Sequence, residues 1–285
     1  MRQESIHVES SLSDLIYEIR GVDYLYPGGA PGLRDISFSV RAGERVAVLG
    51  ANASGKSTLL HLLDGLYFPS RGDVIAFGTK LTEESVAPPP FSRHFRQRVG
   101  FLFQNSDAQL FCASVEEELA FGPLQLRLPR EEVNIRVEDA LRLFGIEHIR
   151  ERSPQTLSGG EKKKVALASL ITCGPSVILL DEASAGLDPR TQQWLVGFLD
   201  SLCRAGITLI SASHDLSFVA ETADRALILS EDHRLVYDCS VRDALADLDL
   251  LLSVNLIHAH PHLHEGLVHD HPHLHEALHD RRHER

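Results

Sequence analysis

Residues 46–60 read VAVLGANASGKSTLL, an apolar run, a glycine, a short polar stretch and then Gly-Lys-Ser-Thr opening onto leucines. The apolar run has the make-up of a buried strand, and Leu59, Leu60, Leu62, Leu63 and Leu66 recur after it at helical spacing. Gly50 to Ser57 thus matches G-x-x-x-x-G-K-[ST] between a strand and a helix, the setting that gives the pattern meaning. Loop positions Gly50, Asn52, Ser54, Gly55 and Thr58 are expected to bind nucleotide, with backbone N–H groups and the positive end of the helix surrounding the phosphates. Lys56 adds a charge toward the β and γ positions, and Ser57 can ligate Mg²⁺.

Outward from this loop, IYEIRGV, ISFSV and GDVIAFG read as strands separated by Gly and Pro clusters. TKLTEESVAPPPFSRH reads as a polar, proline-rich surface loop, and RVGFLF as a further strand. Residues 114–149 switch to helical patterns, VEEELAFG and EEVNIRVEDALRLFG, each expected to stop at its glycine. SVILLDE and ITLISAS are short, continuous apolar runs of the kind buried on both faces of a parallel sheet. A helical segment ending at Gly206 lies between them, giving the strand, helix, strand order of an α/β protein. RALILS, RLVYD and a helix near VRDALADL follow, and after about Ser253 the core signal fades.

SVILLDE supplies a second chemical requirement. Asp181 at a strand end can hold magnesium through water, and Glu182 can orient and deprotonate an attacking water. In LSGGEKKKVALASLI, Ser158, Gly159 and Gly160 precede a helix. The same residues fit an anion site made of free backbone donors and a local cap in which Glu161 reaches back to Ser158.

Composition narrows the partners. The chain has 285 residues with a formal charge of −12, which argues against gripping nucleic acid, where phosphates call for an excess of Lys and Arg. Its four cysteines lack C-x-x-C spacing, so they read as reduced thiols rather than disulfides or a zinc ribbon. The N-terminal residues carry no basic flank before an apolar core, and no apolar run reaches the ~18 residues needed to cross a bilayer. A soluble protein is expected, reaching the cytoplasmic face of the membrane only through a partner.

LSGGE together with the two nucleotide motifs resembles the ATP-binding cassette (ABC) ATPase family from about Tyr17 to Leu245. The resemblance implies an α/β P-loop ATPase with a mainly parallel core sheet, an antiparallel β subdomain and a helical insertion at about 114–157, the whole cassette filling 14–250. It also implies a head-to-tail homodimer, in which Ser158, Gly159 and Gly160 of one copy complete the ATP site on the other's phosphate loop. Tyr26 falls where an aromatic stacks on adenine, with Tyr24 the second choice. Gln104 falls at a position that senses Mg²⁺ and contacts the membrane partner. Ser184 to Asp188 match the D-loop, and His214 the switch histidine at the γ-phosphate. Glu182, His214 and Gln104 are the implied catalytic set, with Ser57, Gln104 and Asp181 as Mg²⁺ ligands. One departure stands out: Ala53 occupies a position where the family carries Gly, so the loop either keeps φ negative there or is strained.

FQNSDAQLFCASVEEELAFGPLQLRL resembles the ATPase subunits of energy-coupling factor transporters, particularly the cobalt and nickel uptake branch. That implies an integral-membrane scaffold subunit and a substrate-capturing membrane subunit, with Gln104 to Phe111 near the groove that receives the scaffold. The alternatives are a soluble ABC ATPase that serves no membrane, and a metal store with an incidental ATPase. The phrase HPHLHE occurs twice in the last stretch. Residues 254–285 are expected to be extended or disordered without metal, because Pro261 and Pro272 oppose a helix. His258, His260, His262 and His264, then His269, His271, His273 and His275, would share a face in an extended chain and offer the nitrogen donors that Ni²⁺, Co²⁺ or Zn²⁺ prefer. The tail thus reads as a sink or sensor for the transported ion.

Overall fold

The computed structural model describes residues 14–264 and 267–274, with side chains placed through Ile257. The strands are β1 (Leu15–Leu25), β2 (Pro31–Arg41), β3 (Arg45–Leu49), β4 (Arg71–Ala76), β5 (Thr79–Lys80), β6 (Val99–Leu102), β7 (Val177–Asp181), β8 (Thr208–Ala212), β9 (Arg225–Leu229), β10 (Leu235–Ser240), β11 (Ile257–His264) and β12 (Leu267–Leu274). The helices are α1 (Lys56–Leu63), α2 (Glu83–Val86), α3 (Phe91–Arg98), α4 (Val115–Gln125), α5 (Arg130–Phe144), α6 (Gly159–Ile171), α7 (Pro189–Arg204), α8 (Leu216–Thr222), α9 (Val241–Ala246) and α10 (Leu248–Ser253).

The core sheet has the order β10-β9-β3-β8-β7-β6, parallel from β9 to β6 with β10 antiparallel at the edge. Its central strands β7 and β8 are buried at every residue, which is why both read as unbroken apolar runs. A second, antiparallel sheet has the order β2-β1-β4-β5. Leu59, Leu60, Leu62 and Leu63 of α1 are almost wholly buried in a cluster that includes residues of both sheets. At roughly 1.5–3 kcal/mol each, they hold the start of α1 firmly against the core. Leu66 lies past the helix end and is 43% exposed, so it does not belong to this face.

A second cluster packs α4, α5, α6 and α7 against β6 and β7. Gly145 ends α5 at φ +63°, as its sequence position implies. Gly122 does not end α4, which runs on through Pro123 to Gln125. A side chain at Gly122 would come within 2.5 Å of Cys173 Sγ, so this glycine allows close approach of the end of α6. Pro123 has no N–H for the Leu119 carbonyl, and Thr172 Oγ1 donates to that carbonyl instead at 2.9 Å.

The expected loop before β6 is also more ordered than its composition implies. Thr82 and Ser85 form a reciprocal cap that starts α2, and Phe95 on α3 is 1% exposed. Arg96 on α3 donates to Asp64 Oδ2 at 2.8 Å and to the Asp64 carbonyl at 2.7 Å, tying α3 to the end of α1. Burial continues beyond Ser253, because Val254, Leu256 and Ile257 join Ala47 and Leu49 in a third cluster.

Candidate functional site

The parallel register brings the candidate residues to one edge. Val48 of β3 and Asp181 of β7 both lie opposite Ala212 of β8, while Leu102 of β6 lies opposite Leu180. The loops leaving these strands, at Gly50, Gln104, Glu182 and Ser213, therefore emerge side by side at the carboxyl ends, where open α/β sheets bind ligands.

The loop from Gly50 turns into α1 through Gly55, whose φ is +108° and whose missing side chain would lie 2.4 Å from the Gly32 carbonyl. Among the described residues no side chain caps α1, which leaves its first-turn N–H groups open at the positive end of the helix. Lys56 Nζ donates to the carbonyls of Gly50 at 2.9 Å and Ala51 at 3.0 Å, and burial pushes its pKa down against the pull of Glu182 and Asp181. The Ser54 hydroxyl is buried with no hydrogen-bond partner among the described residues. Asn52 and Ala53 are exposed at the loop tip. Ala53 takes φ +63°, which makes it the strained alternative, at a cost of about 1 kcal/mol.

Ser57 Oγ donates to Asp181 Oδ1 at 3.0 Å, joining the helix start to the end of β7. Asp181 is 5% exposed, and burial raises its pKa although Ser57 opposes the shift. Glu182 has φ +45°, a conformation a non-glycine residue holds only when its surroundings impose it, and its N–H donates to the Ala212 carbonyl at 2.9 Å. Its carboxylate Oε2 lies 2.9 Å from His214 Nδ1. The Glu182 side chain is 9% exposed against 44% for His214, so the pair presents the imidazole to solvent and keeps the carboxylate inside.

Beside the loop, a cavity of 390 Å³ is lined by Tyr26, Gly32, Gly55, Lys56, Thr58 and His233, among others. Tyr26 is 38% exposed, and its hydroxyl hydrogen-bonds Thr58 Oγ1 at 2.5 Å. Tyr24 is buried and stacks on Tyr67, which leaves Tyr26 as the aromatic available at the cavity. Gln104 is exposed, two residues past the end of β6.

At the start of α6, the local cap forms in full. Ser158 N–H and Oγ donate to Glu161 Oε2 at 2.8 and 2.7 Å, and these bonds hold the Glu161 carboxyl below its ordinary range. The cap leaves the glycines unexplained. A side chain at Gly160 would approach Thr191 Oγ1 at 3.1 Å, but one at Gly159 would meet nothing within 4 Å among the described residues outside its own helix backbone. Asp188 caps α7, accepting from Arg190 N, Thr191 N and Thr191 Oγ1, which keeps its carboxyl low. Ser158, Gly159 and Asp188 are all exposed.

Several neighbours carry no local motif. His233, in the turn before β10, places Nδ1 3.3 Å from the Ser54 carbonyl across 179 residues of sequence. Lys163 on α6 is 4% exposed, its Nζ has no hydrogen-bond partner among the described residues, and burial lowers its pKa while Asp181 raises it. Glu118 on α4 accepts from Phe111 N at 2.9 Å and Cys112 N at 2.8 Å, pinning the segment after Gln104. Among residues with placed side chains, no cluster of three or more His, Cys, Asp or Glu is arranged to hold a metal ion. The side chains from His258 onward lie outside that set, and His275 lies outside the described residues altogether.

The uncapped helix start, the buried Ser54 hydroxyl, Lys56 and the Ser57–Asp181 pair together fit a nucleotide triphosphate with its Mg²⁺. Comparison with known proteins agrees. Residues 33–185 match the family described as ABC transporter. A putative ABC transporter ATP-binding protein of Methanosarcina acetivorans is 50% identical over 87% of this chain and 91% of its own length. The nickel import ATP-binding protein NikO of Rhodobacter capsulatus is 49% identical over 75% of this chain and 85% of its own. CbiO1 of Clostridium perfringens, part of the ABC transporter complex CbiONQ, superposes with a TM-score of 0.73 at 33% identity, covering 85% of this chain and 95% of that one.

Proposed function

The chain belongs to the ABC transporter family as an ATP-hydrolysing subunit, and from that premise we propose that it powers uptake of a divalent transition metal ion, nickel or cobalt, through membrane partners of the energy-coupling factor type. The observation that carries the catalytic part is the meeting of Ser57 with Asp181 beside the Glu182–His214 pair. The similarity to NikO, with the FQNSDAQLF segment, supports the cargo.

In this reading Lys56 exchanges the carbonyls of Gly50 and Ala51 for the β- and γ-phosphates, while the open N–H groups of α1 bind phosphate oxygens. A Mg²⁺ ion would supply charge neutralisation at the triphosphate. Ser57, Asp181 and Gln104 would hold that ion, with Asp181 binding as the carboxylate against the burial that raises its pKa. Tyr26 offers its ring to the adenine. Glu182 orients the attacking water and takes its proton, and His214 positions Glu182 and reaches the γ-phosphate.

Two copies act head to tail, each covering the other's nucleotide with Ser158, Gly159 and Gly160, and Asp188 lies at the seam. The empty space at Gly159 favours this arrangement, since nothing among the described residues of its own chain calls for a glycine there. No helix among the described residues is long and apolar enough to cross a membrane; in this reading partner subunits build the ion path. Phe111 and Phe121, in edge-to-face contact at 4.8 Å and exposed at 62% and 40%, offer the scaffold subunit an apolar hold near Gln104. The cassette extends over about 14–257, with the histidine-rich segment following it.

Uptake of radiolabelled Ni²⁺ and Co²⁺ by cells carrying the whole transporter tests the proposal. Accumulation that Glu182→Gln abolishes is expected, and accumulation indifferent to that variant contradicts it.

A further inference from the structure

β11 and β12 pair as an antiparallel hairpin, and the register sets His258 opposite His273, His260 opposite His271 and His262 opposite His269. Residues two apart along a strand share a face, and so do directly opposed residues across a pair. One face of the hairpin therefore carries all three histidine rungs together with His264, interrupted only by Leu267. The other face is apolar except for Asp270. A register slip of one residue would send the histidines of the two strands to opposite faces.

The prolines agree with this register. Proline lacks the N–H that a hydrogen-bonded rung exchanges, so the rungs Ala259–Pro272 and Pro261–Asp270 suit the non-hydrogen-bonded positions. The histidine rungs between them then take the hydrogen-bonded positions, where the pairing fixes opposed residues most directly. The repeat that looks like mere enrichment in sequence thus does two things at once: it keeps proline where it does no harm and gathers histidine on one side.

We propose that this face is a binding site for a divalent transition-metal ion, one ion per hairpin held by two adjacent histidine rungs. Neighbouring rungs lie about 7 Å apart along the strand and opposed positions about 5 Å apart across it. Four histidine positions therefore fall within a small rectangle, matching in number and type the imidazole donors that Ni²⁺, Co²⁺ and Zn²⁺ take. An isolated two-stranded hairpin is marginal in water, so binding and pairing reinforce each other. The hairpin also starts from a fixed point, because Ile257 is buried in the cluster that holds Ala47 and Leu49 of β3. The inference goes beyond the transport reading and stands whichever ion is carried.

The test titrates NiCl₂ into the purified full-length protein at neutral pH, with Mg²⁺ in excess and no nucleotide, and follows binding by calorimetry. A single tight ion per chain is expected. Both adjacent-rung sites share the central rung, so His260→Ala with His271→Ala should weaken binding by at least the roughly tenfold that loss of even an outer-shell partner costs. Ala259→His with His260→Ala keeps the histidine count but moves one across the hairpin, and it should also weaken binding. His279→Ala with His283→Ala, two histidines beyond the rungs, should leave it unchanged. Absence of nickel binding, or an exchange variant that binds as tightly as the wild type, overturns the proposal. Unchanged thermal unfolding of the cassette in every variant certifies that the loss belongs to the hairpin.

Discussion

Gly159→Ala is expected to leave the isolated protein at least as stable as before while cutting ATP hydrolysis. Among the described residues, a side chain at this position meets no atom within 4 Å beyond its chain neighbours and its own helix backbone, and the backbone is not left-handed. Gly159 opens α6, where alanine favours the helix over glycine by up to about 1 kcal/mol. In the proposed head-to-tail dimer the same space would belong to the partner's nucleotide. A methyl group forced into such a closed interface costs about 1–3 kcal/mol, which corresponds to a hydrolysis loss of about 5- to 150-fold. Thermal unfolding of the isolated chain and phosphate release by the assembled transporter read the two effects separately. Gly160→Ala is the contrast: its side chain would approach Thr191 Oγ1 at 3.1 Å, so it should lower the unfolding temperature of the isolated chain as well. Full hydrolysis by Gly159→Ala would refute the reasoning, and so would a drop in unfolding temperature, which would mean that the glycine serves its own chain.

Glu182→Gln should retain ATP binding and lose about 10²- to 10⁴-fold in single-turnover hydrolysis; a loss below tenfold would remove Glu182 as the base. Asp64, buried at the end of α1, has its carboxyl pushed up to about 6, chiefly by burial and against Arg96. The folded chain therefore binds this proton more tightly than the unfolded chain, so its contribution to stability falls as pH rises from about 4 to about 6, by on the order of 3 kcal/mol. Asp64→Asn should lose that fall in denaturant unfolding measured across the window, and an unchanged pH slope would contradict the assignment. Ending the chain after Ile257 should spare unfolding temperature and basal hydrolysis. Ending it after Ser253 removes the buried side chains of Val254, Leu256 and Ile257, at roughly 1.5–3 kcal/mol each, and should lower the unfolding temperature. Equal stability of the two truncations would show that the third cluster does not need them.

The legible parts of the sequence were those whose meaning is local. Gly50 to Ser57 could be read because strand, loop and helix are contiguous, and the reciprocal cap at Ser158 and Glu161 because its partners are three residues apart. The misreadings came where distant residues decide. Gly122 looked like a helix stop, but the approach of Cys173 explains it, and Thr172 satisfies the Leu119 carbonyl that Pro123 frees. Residues 79–94 looked like a loop because their polar and proline content hides the cap at Thr82 and the start of α3, which the buried Phe95 and the Arg96–Asp64 contact just beyond them hold in place. No pattern near His233 points to Ser54, since 179 residues separate them and only the sheet order brings them together. The histidine spacing in the tail was visible, but the opposition of His260 to His271 required the register.

The central claim is that each ATP site is completed by the other copy, and mixing two disabled variants tests it most directly. Lys56→Ala damages the phosphate loop, while Gly159→Glu fills space that is open among the described residues of its own chain. Each variant alone should hydrolyse almost no ATP. In an equal mixture, random pairing leaves one sound site in half of the dimers, so activity should return to about one quarter of the wild-type level. A mixture as inactive as its parents would contradict the account.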